Sequence, residues 1–192
     1  RDELQSKSGY FKLVVANPGA TALTLTSSIF NDVYNDELWN LSVRVKPQNY
    51  PLDTFVWPKT GSYNYDLIFS GYNSKTTDLF NSFKVSTQIT QTAGHKYVLS
   101  GKRAYVGADK VNVTGAINHY SDVLMSSVAF WTKYLEDCDL QQHALDLENI
   151  GLSGSIQSLS GLDGSNLYTE ALGHDTLALN WNFGNVTKVK KE

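Results

Sequence analysis

Apolar side chains recur at every second position through much of the first half of the chain. In residues 9–26, GYFKLVVANPGATALTLT, Phe11, Leu13 and Val15 occupy one side, and Leu23 and Leu25 resume the same spacing. Between them, Asn17-Pro18-Gly19 supplies a fixed φ followed by a permissive one, so the segment predicts a hairpin or a sharp corner between strands. Residues 38–45, LWNLSVRV, place Leu41, Val43 and Val45 on one side of a further strand. Pro47, Pro51 and Pro58 then mark an edge or a connection, because proline cannot donate to a sheet ladder.

The alternation returns at Tyr63, Tyr65, Leu67 and Phe69, a period of two that describes a half-buried strand. Residues 83–90, FKVSTQIT, alternate again. Thr92-Ala93-Gly94-His95 reads as a turn and residues 96–100 as the returning strand of a second hairpin. No segment of residues 1–105 has helical spacing long enough to compete with these strands.

Residues 121–150 admit two readings. Leu124, Val128, Trp131, Leu135 and Cys138 fall at helical spacings of four and three, yet residues 126–131 also form a strand pattern and residues 143–149 alternate Leu145 and Leu147 with charged neighbours. An internal likeness favours strands: TGSYNYDLIFSG at 60–71 and LGHDTLALNWNFG at 172–184 share their layout, so the hairpin of residues 11–25 should recur near 125–140. The expectation is an all-β, antiparallel β-sandwich of two related modules, residues 9–105 and an incomplete 124–192, which either share one continuous sandwich or leave a sheet edge that something else covers.

The series YFKLVVANPGATALTLT, KTGSYNYDLIFSG and VSTQITQTAGHKYVLSG resembles a bacterial family of extracytoplasmic tandem β-sandwich modules of unknown function, found in lipoproteins and surface proteins. The resemblance covers about half of the chain. It implies an immunoglobulin-like sandwich in the periplasm or at the cell surface and carries no catalytic residues. The insertion at 30–59 and the missing Pro-Gly turn and final hairpin of the second module depart from the family outline.

Composition narrows the function. Charged residues are only 18% of the chain and net charge is −3, so no basic field exists to hold nucleic acid. An excess of Ser, Thr, Asn and Tyr over charge suits an extracytoplasmic setting. No apolar run approaches the roughly 20 residues of a membrane span. The opening RDELQSKSGY has neither an initiator methionine nor an apolar signal core, and the expectation is a leader already removed or a start within a longer protein. Asn40, Asn112 and Asn185 begin glycosylation sequons that matter only in a eukaryotic secretory route.

Candidate chemistry is sparse. His95, His119, His143 and His174 show no metal-ligand spacing, and His95 reads as a surface turn residue. Neither a nucleophile elbow nor a phosphate-cradling loop is present, and no enzymatic activity is expected. Cys138, the one cysteine, reads as a small apolar core residue. Glu136, Asp137 and Asp139 could together hold Ca²⁺ through oxygen ligands, and residues 163–166 offer a weaker loop of the same kind. Tyr34, Trp39, Tyr50 and Trp57, on the proline-rich insertion, are the candidate surface for a protein or glycan partner, although a core would use such rings equally well. The expected function is a non-enzymatic exported binding or structural module. A virion coat or spike domain, a carbohydrate hydrolase using an Asp or Glu pair and a lectin-like domain are the alternatives.

Overall fold

A computed structural model describes residues 7–15, 22–31, 33–34, 37–48, 63–75, 78–101, 104–110, 114–120, 124–146 and 177–183. The class is all-β, with antiparallel sheets and, among the described residues, two short helices. By contacts the chain divides into two compact units, one made of residues 1–99 and 134–149, the other of 100–133 and 150–192. The expected boundaries, 9–105 and 124–192, cut the chain elsewhere.

In the first unit, β1 (Lys12–Val15) and β2 (Leu23–Thr26) form the expected antiparallel pair, with Leu13 opposite Leu25. The turn residues 17–19 lie outside the described residues. β3 (Leu38–Pro47), β4 (Tyr65–Lys75) and β5 (Asp78–Ile89) follow one another as an antiparallel meander with β4 in the centre. Odd-numbered side chains of β4 face the β1–β2 pair. Tyr65, Leu67 and Phe69 join Leu25, Phe83 and Ile89 in one core, with Leu13, Val15 and Leu23 packed against it. Phe11, Phe30, Trp39 and Phe83 close that core as a ring cluster, with Phe11 and Phe83 stacked at 5.5 Å.

The chain leaves β5 directly into α1 (Gln91–Leu99), so the hairpin expected over residues 83–100 is a strand followed by a helix. Two local features explain the difference. Thr90 acts as an N-terminal cap, its Oγ1 accepting from the Ala93 N–H at 3.3 Å while its carbonyl accepts from the Gly94 N–H. Gly94 is buried where any Cβ would overlap the Tyr65 ring, so the glycine that suggests a turn permits a close helix–sheet contact. Ala93 and Tyr97, one turn apart, reach the core.

α2 (Asp137–Leu145) covers the opposite face of the meander, touching all three strands. The alternating strand expected from His143 is therefore helical as far as Leu145. Leu140, His143 and Ala144 are buried at spacings of three and four, and Ala144 O accepts from Ser74 Oγ at 2.7 Å. With both faces covered, β4 is buried at almost every position, including Ser70, Tyr72, Asn73 and Ser74.

The second unit holds β6 (Ala108–Lys110) paired with β7 (Ile117–Tyr120), and β8 (Ser127–Trp131) paired with β9 (Leu177–Asn182). The strand reading of residues 126–131 holds. Residues 125–140 thus contain a strand and then part of a helix, where a recurrence of the first hairpin was expected. Of the two similar stretches, the described parts are both strands, one the centre of a three-stranded sheet and the other in a two-stranded pair.

Candidate functional site

The polar face of β3 is the first place where charge gathers. Arg44 is buried and spreads its guanidinium over four acceptors. One nitrogen donates to Tyr134 Oη at 3.2 Å and Leu135 O at 2.9 Å, the other to Ser70 Oγ at 3.3 Å and Asp137 Oδ1 at 2.6 Å. Lys84 donates to the second oxygen of Asp137 at 2.7 Å. Burial alone would push the Asp137 carboxyl up, but the hydrogen bonds from Lys84 and Arg44 outweigh it and hold it below its ordinary value. The same Asp137 contact raises Lys84.

This arrangement tells where the candidate Ca²⁺ ligands lie. Both Asp137 oxygens are engaged by cations, and Asp139 Oδ2 accepts from the Glu136 backbone N–H at 3.0 Å in a capping box that starts α2. Acidic groups in a first helical turn also complement the helix dipole. The three carboxylates are joined to their own helix and sheet, and among the described residues no group of three or more His, Cys, Asp or Glu converges as a metal site. Residues 163–166 lie outside the described residues. Cys138 is exposed on α2, contrary to the core role expected of it, because Leu140, His143 and Ala144 take the buried face.

A groove on the other face of the meander has a different character. It measures about 340 Å³ and is lined by Ile29, Phe30, Asn31, Glu37, Trp39, Asn73, Lys75, Phe80 and Asn81. Trp39 and Asn73 are direct cross-strand partners of β3 and β4. Asn73 is 1% exposed, and its Nδ2 donates to Glu37 Oε2 at 2.7 Å and Leu38 O at 3.0 Å. Glu37 also pairs with Lys75. The Lys75 contact, joined by the Asn73 bond and opposed by burial, holds the Glu37 carboxyl below its ordinary value. Among the described residues, the buried Asn73 Oδ1 and Trp39 Nε1 find no hydrogen-bond partner.

A β-bulge shapes this groove. Asn73 pairs with Asn81 and Ser74 with Leu79, which leaves Phe80 as the extra residue on β5. Consecutive strand residues normally point to opposite faces, yet Phe80 and Asn81 both line the groove. The Phe80 ring is 61% exposed, and the Lys75 ammonium stands over it at 5.4 Å from the centroid.

Of the aromatic residues singled out on the insertion, Trp39 belongs to this groove and to the ring cluster behind it. Tyr34 is exposed, its ring close against Gly9, and does not line the groove. Tyr50 and Trp57 lie outside the described residues. The sequence reading passed over Glu37, Asn73, Phe80 and Asn81. Only Phe80 carried a signal, as an apolar residue out of phase with the alternation of residues 83–90. His95, expected on a surface turn, is half-buried in α1 with its ring edge on Tyr63 and Tyr65. Burial, followed by the Tyr63 contact, pushes the Tyr65 hydroxyl up to about 12.

A second groove, of about 420 Å³, runs beside Lys46, Asp66, Lys84 and Tyr134. Its cations are already engaged, Lys84 with Asp137 and Lys46 over the Tyr134 ring at 4.9 Å. The chain matches no family model, no curated protein and no solved structure. Among the described residues, no helix is long and apolar enough to cross a membrane.

Proposed function

We propose that the chain is a non-enzymatic binding module of the bacterial envelope or cell surface, and that it recognises its partner at the Trp39–Asn73–Phe80 groove. One observation carries the reading: a bulge turns an exposed aromatic ring toward a fully buried amide whose carbonyl oxygen has no partner among the described residues. A bulge that re-aims a side chain and an unsatisfied buried acceptor both cost stability, and such costs concentrate where a surface is used for binding. The neutral-to-acidic charge, the low fraction of charged residues and the β-rich class support an exported setting. The likeness of residues 11–25 and 61–69 to extracytoplasmic lipoprotein modules belongs to the same proposal, without the recurrence at residues 125–140, where a strand and part of a helix stand instead.

Hydrogen–deuterium exchange tests it. The whole chain is compared alone and mixed with glycan and peptide fractions of a bacterial envelope. Slower exchange confined to residues 29–39 and 73–81 is the expected result. Protection elsewhere, or none with either fraction, removes the reading.

A further inference from the structure

We infer that the groove between Trp39 and Phe80 takes a neutral saccharide, an inference that rests on reading this groove as the recognition surface. Its two ionic groups, Glu37 and Lys75, are paired with each other, and Asn73 completes the carboxylate. An acidic ligand would meet the Glu37 carboxylate and a basic one would compete with Lys75 for it, so neither sign of charge is favoured there. A neutral ligand leaves it intact and still gains charge-assisted hydrogen bonds from it.

The remaining polar groups are amides. Asn31 and Asn81 are exposed at the groove, and each amide offers a planar acceptor beside two donors. Ser8 Oγ donates to Asn31 Oδ1 at 2.9 Å, which orients that amide. A sugar hydroxyl is both donor and acceptor, so adjacent hydroxyls match such amides in either sense. Beneath them, Trp39 Nε1 requires an acceptor and Asn73 Oδ1 requires a donor, across one cross-strand pair.

The apolar part suits the same ligand. Phe80 and Ile29 are both largely exposed at the groove. Lys75 stands over one face of the Phe80 ring, and the other face, next to the groove's hydrogen-bonding groups, matches the C–H face of a pyranose, whose hydroxyls point outward from the ring edge. No covalent step is involved.

The test is an array of immobilised neutral and acidic oligosaccharides, probed with the whole chain and with Phe80→Ala and Asn81→Ala, with a set of random peptides as the second arm. Both substituted residues are exposed, and circular dichroism verifies that the variants fold. Binding to neutral oligosaccharides that is insensitive to salt and about tenfold weaker in Phe80→Ala is expected. Salt-sensitive binding confined to acidic saccharides overturns the inference, as does saccharide binding that Phe80→Ala leaves unchanged. Peptide binding lost in Phe80→Ala, with no saccharide bound, overturns the saccharide and keeps the groove. Silence in both arms removes both.

Discussion

Arg44 of β3 donates to Asp137 at 2.6 Å across 93 positions of sequence, and this contact ties the segment carrying α2 to the polar face of the meander. Arg44 reaches Tyr134 Oη and Leu135 O in the same segment, while Ser42 and Ser70 share a hydrogen bond of 2.8 Å behind it. Removing the guanidinium would leave Leu135 O and part of Asp137 without their donor in a covered interface, while Ser70 Oγ would keep only its bond to Ser42. Arg44→Ala should therefore lose about 2–3 kcal/mol, at the low end for a buried pair because Asp137 is 39% exposed and keeps Lys84. Arg44→Lys should recover only part of this, since one ammonium cannot reproduce a fork over four acceptors. Urea unfolding measures both, and an alanine variant as stable as the parent would refute the role.

Acid should weaken the same junction. The Asp137 carboxyl is held below its ordinary value of 3.8, so its contribution is complete above that value and fades as pH falls through the lower folded one. Lys84 is raised from 10.5, so its share is present below that value and fades as pH rises through the higher folded one. The plateau lies between the two. Asp137→Asn should be less stable than the parent at neutral pH, and the gap in urea midpoint should close in strong acid. A gap that persists unchanged below both carboxyl values would contradict the assignment.

Gly94→Ala should destabilise, although alanine is the better helix former by up to about 1 kcal/mol. The added methyl meets the Tyr65 ring in a packed core, and overpacking of that kind costs about 1–3 kcal/mol. A net loss near 1 kcal/mol is expected by thermal unfolding. A gain in stability would mean that α1 does not sit against Tyr65.

Cys138 should react with a thiol reagent in the folded chain, without denaturant, because it stands on the exposed side of α2. One equivalent should be modified, since the sequence has a single cysteine. Protection until unfolding would return Cys138 to the core role that its helical spacing suggested.

Strands were legible wherever one face alternates. The shared inward side of Leu13, Val15, Leu23 and Leu25 and the run through Tyr65, Leu67 and Phe69 follow from a period of two. Residues 91–99 were not, because Ala-Gly reads as a turn until a ring at Tyr65 is known to need the space. In the groove, Trp39 was legible as a large ring on a loop-rich insertion. Asn73 was not, and Phe80 showed only as an apolar residue out of phase with the strand that follows, since a bulge changes which side chains share a face.

The sequence by itself determined the β character and the inward side of β1, β2 and β4, because pleating sends alternate residues to opposite faces whatever the chain does elsewhere; on β3, Leu41 and Val43, expected to share an inward side with Val45, are about half exposed. Only the tertiary structure decided that the outward side of β3 and β4 is covered as well. Asn40, Ser42 and Arg44 look like a face meant for water. A helix from residues 137–145, more than ninety positions away, makes Arg44 a buried anchor, and no periodicity encodes a contact whose two halves are so far apart along the chain.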